Sequence, residues 1–292
     1  MRTKILAICC FAILTVTFDS HAEGVASVEV FQSPAWLIRD NVRSALALGT
    51  EIQENDEIET GASARAMLRL GDGSTVKLGA HASLVLPLLD AGGLSDGVFL
   101  GFLDLAKGAF RFTTTELGKL HKREITAQLR SITIGIRGTD VWGKADDARD
   151  FVVLLEGQIT VDHNDQSYPL DEALSLFSAP IGASPEPITE VNQDDLALWA
   201  QETEPQDGAG VRAVDGKVRL HLATYADESR ARALVNRLDG EGYQVSVDEL
   251  DVGGRKWFHV SQQNFVTRAD AFASRTALQS LGGLAGAWLD RE

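Results

Sequence analysis

The sequence predicts two folded domains. An all-β domain, a β-roll, β-sandwich or short β-helix, covers residues 23–180. A small α+β domain covers 213–292, and an acidic linker at 181–212 joins the two. Three observations predict this. Short stretches of period-two hydrophobic alternation, broken by Gly-containing turns, fill the first part without a long helical pattern. From Ile181 to Gly210 there are seven acids, no Lys or Arg, and Pro185, Pro187 and Pro205. Beyond that segment the sequence repeats itself at an offset of forty residues: Tyr225 matches Phe265, Ala231 matches Ala271, Leu238 matches Leu278 and Gly242 matches Gly282.

The N-terminus reads as a secretory signal peptide, residues 1–22. Arg2 and Lys4 give a positive start, Ile5 to Phe18 is mostly apolar, and Ser20-His21-Ala22 supplies small residues for cleavage after Ala22. The apolar run is short against the roughly 20 residues of a membrane-spanning helix. Export to the periplasm without stable membrane insertion is therefore expected. Cys9 and Cys10 both fall in this segment. The rest of the chain has no thiol, disulfide or cysteine metal site, so its core must hold it. About 270 residues suffice for two ordinary domains.

The chain carries 42 acids against 27 bases. Setting aside Arg2, Lys4 and Asp19 leaves 41 against 25, a net charge of −16. Such a surface repels phosphate backbones and anionic membranes, so nucleic acid is excluded as a partner.

The β elements follow in order. Ala66, Leu68 and Leu70 share one strand face, Gly71-Asp72-Gly73 makes a hairpin turn, and Val76 and Leu78 return on the apolar side. Phe99 to Leu105 is a strand, Lys107-Gly108 a turn, and Phe110 and Phe112 belong to the next strand. Ile132, Ile134 and Ile136 alternate with polar residues until Arg137-Gly138-Thr139-Asp140 interrupts them. Val152 and Leu154, a turn at Glu156-Gly157, then Ile159 and Val161 close the domain. The acidic linker should be extended by its own repulsion, with one helical turn at Asp194 to Trp199.

Each half of the C-terminal repeat reads strand, helix, strand. "VRLHLATY" alternates as a strand, and Val245 and Val247 mark the next. Between them Ala231, Leu234, Val235 and Leu238 line one helical face behind an Asp227 cap. In the second half Thr267 and Asp270 are spaced as a capping pair. Two such units make a duplicated βαβ, a four-stranded antiparallel sheet with two helices on one face. The other sheet face is left open to bind something.

Motifs for catalysis are absent: no G-x-S-x-G, H-E-x-x-H, P-loop or G-x-G-x-x-G follows a strand. His81, His121, His163, His221 and His259 have no partner histidine at ligand spacing. Asp146-Asp147, Asp194-Asp195 and Asp248-Glu249 are sequence neighbours, which point to opposite faces of a strand. No enzyme, cofactor or metal is expected. Gly135 and Gly138 allow a bend or bulge. Arg137 would then fold back to pair with Asp140 or cap carbonyls across Thr139, making the element a structural joint. The alternative is that Arg137 grips an anionic ligand.

Two resemblances follow. "GTEIQENDEIETGASARAMLRLGDGSTVKLGAHASLVL", "GAFRF", "SITIGIRGTDVWG" and "VVLLEGQITV" together resemble the FecR domain of bacterial periplasmic proteins. The matching elements are Asp56 to Gly61, Asp72 to Leu78, Arg137 to Val141 and Leu155 to Ile159, within Gly49 to Ile181. The resemblance implies that they are turns and strand ends of a β-rich fold. Relay members of that family carry a cytoplasmic arm controlling a sigma factor. Only Met1 to Lys4 precede the apolar run here, so the periplasmic module without that arm is implied.

Val218 to Asp290 resembles a SPOR domain, a peptidoglycan-binding module. "LHLATY", Ala231 to Tyr243, "WFHV" and the "QQNF" turn carry the likeness. It implies a sheet face that holds glycan strands stripped of stem peptides, through His221, Thr224, Trp257 and His259. Here His221 stands for the usual Gln, His259 for the usual Arg, and Gln263-Asn264 for the usual Gly-Pro. The reading is a non-catalytic periplasmic protein that binds glycan strands, expected at division sites, with the FecR-like domain as a protein-interaction or ligand-sensing module for an envelope partner. The alternatives are a FecR-type signalling regulator without its cytoplasmic arm, and a cell-wall hydrolase.

Overall fold

The computed structural model describes residues 26–90, 98–115, 122–282, 284 and 286–289. The signal peptide expected at 1–22 lies outside them. The strands begin with β1 (Ala26–Gln32), β2 (Ala35–Arg39), β3 (Val42–Ala45), β4 (Glu51–Ile52), β5 (Asp56–Thr60), β6 (Arg65–Leu70), β7 (Thr75–Leu78) and β8 (Ser83–Asp90). They continue as β9 (Val98–Thr113), β10 (Lys122–Leu129), β11 (Thr133–Ile136), β12 (Asp140–Ala145), β13 (Arg149–Glu156), β14 (Ile159–His163), β15 (Gln166–Leu170), β16 (Ser175–Pro180) and β17 (Thr189–Glu190). Helix α1 (Gln193–Thr203) and β18 (Val211–Ala213) lead to β19 (Val218–Tyr225), α2 (Glu228–Gly240) and β20 (Ser246–Val252). β21 (Arg255–Phe265), α3 (Arg268–Ser280) and β22 (Trp288–Leu289) follow.

The first domain is a sandwich. One sheet runs β1-β6-β7-β9-β12-β13-β16-β17. The other runs β3-β2-β5-β8-β9-β10-β11-β14-β15. The alternating apolar residues of both sheets, among them Val28, Phe31, Leu68, Phe112, Ile134 and Val161, form one buried cluster. Where a turn was expected at Lys107-Gly108, β9 instead runs on and changes sheet. Its first half pairs with β8 and β10, its second with β7 and β12. Gly108 makes the bend at φ +94°, and a Cβ there would lie 2.5 Å from the Ala82 backbone. The hairpin at Gly71-Asp72-Gly73 forms as read: the Leu70 N–H donates to the Ser74 carbonyl at 2.8 Å, and Asp72 accepts the Ser74 N–H at 2.9 Å.

The acidic segment is not an extended tether. Asn192 caps α1 by accepting the Asp195 N–H at 2.8 Å, and Asp194 and Asp195 sit at the positive end of the helix dipole. Trp199 stacks on Trp142 at 5.4 Å and touches Phe151, both on the outer face of the first sheet. Glu202 pairs with Lys144 at 2.8 Å, and Glu204 with Arg111 at 2.9 Å and Lys77. The repulsion expected within the segment is offset by bases that the sandwich supplies.

The C-terminal unit has the expected four antiparallel strands in the order β20-β21-β19-β22. Ala231, Leu234 and Leu238 of α2 and Ala271 and Leu278 of α3 pack with Leu220, Leu222 and Val260 on one side. Asp227 caps α2, and Thr267 with Asp270 forms a capping box on α3. β21 continues through the expected "QQNF" turn as far as Phe265, with Asn264 at φ +68°. β18, inside the presumed linker, pairs with β1 and with β21, so a strand ties the two units together.

Candidate ligand-binding face

Strand alternation divides the C-terminal sheet. Leu220, Leu222 and Val260 point toward the helices, and Gln262 on that side accepts the Ser274 hydroxyl of α3 at 2.7 Å. His221, Trp257 and His259 therefore occupy the opposite face, and a register shift between His221 and Ala223 brings Thr224 onto it as well. Thr224 is opposite His259 across β19 and β21, and Asp248 of β20 is opposite His259 on its other side.

Three of the four expected residues meet. His221 Nδ1 lies 2.5 Å from His259 Nε2, and Thr224 Oγ1 lies 2.8 Å from His259 Nδ1. Both ring nitrogens of His259 are thus engaged. Only one of two facing imidazole nitrogens can hold the proton between them. The expectation of two solvent-facing histidines needs correction: each is only 7% exposed. They are not beneath the helices. They are buried on the open side by their neighbours, where they act as a brace under the exposed groups. Thr224 is exposed and Trp257 half-buried, one same-face step along β21 from His259.

Trp288 was missed. It lies opposite His221 on β22, is 53% exposed, and stacks on the His221 ring at 3.9 Å. The forty-residue repeat held the signal: Trp288 is the counterpart of Asp248, and β22 of β20. Asp248 on the same face pairs with Arg219 at 3.3 Å. The face therefore presents two indoles, a hydroxyl and an ion pair around a hydrogen-bonded floor. Aromatic faces of this kind cover the apolar sides of sugar rings, while the polar groups reach hydroxyls.

In the sandwich, Gly135 lies within β11, and Arg137-Gly138-Thr139 carries the chain from one sheet to the other, with Asp140 opening β12. The chain crosses back at Gly157, between β13 and β14. The two crossovers touch. A Cβ on Gly157 would stand 2.8 Å from Thr139 Cγ2 and 2.9 Å from the Gly138 carbonyl, and φ there is +90°. Arg137 does not pair with Asp140 as expected. Asp140 accepts two bonds from Arg111, at 2.9 and 2.7 Å, and these raise the Arg111 pKa above its ordinary value despite partial burial. Arg137 is exposed instead beside Gly135, Thr160 and Asp162, in a shallow groove of about 560 Å³.

Residues 56–160 match the family described as FecR protein, and residues 215–289 match the SPOR domain. The chain joins a FecR domain to a SPOR domain. No curated protein matches it. Two solved structures of a protein described as a candidate anti-sigma factor from Parabacteroides distasonis ATCC 8503 are distantly similar. The first has 15% identity and a TM-score of 0.41, covering 78% of this chain and 92% of that one. The second has 14% identity and a TM-score of 0.40, covering 78% and 91%. A SPOR domain implies peptidoglycan binding, and both families are non-catalytic binding or regulatory domains typical of envelope proteins. Among the described residues, no helix is long and apolar enough to cross a membrane, and no group of His, Cys, Asp or Glu is placed to hold a metal.

Proposed function

We propose that this chain is a non-catalytic periplasmic protein that binds peptidoglycan glycan strands through the open face of its SPOR domain. The observation that carries this is the pair of indoles, Trp257 and Trp288, standing on one uncovered sheet face with Thr224 between polar neighbours. His221 and His259 support that surface from within; they are not its main contacts. Bare glycan suits it. Sugar rings offer apolar faces to indoles. Co-sedimentation of the full chain with glycan stripped of stem peptides tests the reading. Retention should exceed that on peptide-bearing wall and should fall in Trp257→Ala. Equal retention of both proteins would count against the face.

The FecR domain is proposed to be a protein-interaction or ligand-sensing module. Arg137 favours this part, because its guanidinium projects at a groove with no ion-pair partner among the described residues. A regulator of FecR type is the second reading. A transmembrane protein co-purifying with wild type and lost with Arg137→Ala would support it.

A further inference from the structure

We infer that Arg212 is a positioning residue that fastens the glycan-facing sheet to the FecR domain, so that the two domains unfold and respond as one body. The part of this concerning glycan rests on the reading above; the fastening itself does not.

β18 has three residues, and each pairs with β1: Val30 with Ala213, Phe31 with Arg212, Gln32 with Val211. Arg212 also pairs with Phe265 of β21. So short a strand is held by what its side chains do. Arg212 is 3% exposed. Its guanidinium donates to the Gln263 carbonyl at 2.7 Å, the Gln244 carbonyl at 3.0 Å and Gln244 Oε1 at 2.5 Å. It lies 5.1 Å from the ring of Phe31 and 5.6 Å from that of Phe265, one from each domain. No carboxylate pairs with it among the described residues. Burial pulls its pKa down to about 10, which leaves it charged at neutral pH. A buried cation satisfied only by carbonyls and ring faces is stable only while all of them stay in place. The acceptors and the Phe265 ring belong to the C-terminal sheet, while the FecR domain supplies the Phe31 ring and the β1 backbone, so the guanidinium locks β18 to one unit while its backbone is paired to the other.

Arg212 is also one residue away from the ligand face. The Gln263 whose carbonyl it holds donates from its side chain to Ser246 Oγ at 2.9 Å, and Ser246 is opposite Ser261, which in turn is opposite His221. On the other flank Asp270, fully buried, accepts the Gly210 and Val211 N–H groups at 3.2 and 3.0 Å while it caps α3. A shift of β18 therefore disturbs the edge of the face and the start of α3 together.

The test is calorimetric unfolding of the full chain combined with amide exchange. Wild type is expected to unfold in one transition, with the amides of Val30–Gln32 and of 259–263 opening together. Two separate transitions in wild type would overturn the inference without any variant. Arg212→Met keeps the apolar stem and removes the donors. It should split the transition and speed exchange at Val30–Gln32 by roughly ten- to a hundredfold, the loss expected for hydrogen bonds to a charged group. Arg212→Lys, with one short-reaching ammonium, should fall between the two and serves if the Met variant does not fold. Unchanged exchange in the variant that folds would overturn the inference. Adding glycan stripped of stem peptides to wild type should slow exchange at Val30–Gln32. Binding without that slowing would remove the coupled response. An absence of binding would remove the glycan reading and leave the unfolding result to judge the fastening.

Discussion

Gly138 and Gly157 sit in touching crossovers, yet they should respond differently to a methyl group. Both have positive φ, but a Cβ at Gly138 meets nothing within 4 Å, whereas at Gly157 it meets Thr139 and the Gly138 carbonyl. Gly138→Ala should cost about 1 kcal/mol, from backbone strain alone, and Gly157→Ala roughly 3 kcal/mol, in denaturant midpoints. On the ligand face, Trp288 is more than half exposed, so Trp288→Ala should leave the melting temperature nearly unchanged. It should weaken glycan binding by about 2 kcal/mol, the size of an interface hot spot. Individual residues were unevenly legible in the sequence. Alternation alone would set Thr224 on the face opposite His221 until the register shift between His221 and Ala223 is seen; the SPOR resemblance implied one face for all four, but it cannot tell that two histidines turn their nitrogens toward each other. That depends on β19 lying beside β21, a pairing set by the whole sheet. Likewise Asp140 has its partner in Arg111, 29 positions away, and not in the nearer Arg137.

At the scale of elements, the helix starts were legible because caps are local: Asp227, and Thr267 with Asp270, work within a few residues. The Asp227 carboxyl is held below its ordinary value by the Ser229 hydroxyl and then by its N–H. A depressed folded pKa means that its contribution is present above the unfolded carboxylate value of ~3.9 and is lost as pH falls through the folded value. Asp227→Asn should flatten the acid limb of an unfolding curve followed by helix signal. α1 was legible only as one turn at Asp194 to Trp199, and its full length and docking were not, for the opposite reason. Its own sequence is acidic and repelling, while Lys77, Arg111 and Lys144, which draw it in, are spread over three strands. Exposed pairs of this kind contribute about 0.2–1 kcal/mol each and weaken with salt. The Trp199 ring on Trp142 and Phe151 should outweigh them. Trp199→Ala is therefore expected to release α1, seen as lost helical signal, more completely than raising the salt concentration does.

For the whole molecule, two domains were readable from the change of hydrophobic period and the internal repeat, and the duplicated sheet follows the repeat closely. The contact between them was not readable, because β18 and the residues around Arg212 look like the end of a linker until β1 and β21 are seen on either side. A wall-binding sheet fixed to a sandwich would hold the FecR domain at a set orientation to the glycan, which suits a module that presents a surface to a partner. The claim beneath all of this is that sugar meets the uncovered side of the SPOR sheet. Its most direct test follows the indole N–H signals of the full chain by NMR while glycan stripped of stem peptides is added. Trp257 and Trp288 should shift, with Trp142 and the Trp199 of α1 that stacks on it unmoved; binding that leaves Trp257 and Trp288 still, or moves the Trp142–Trp199 pair instead, would contradict it.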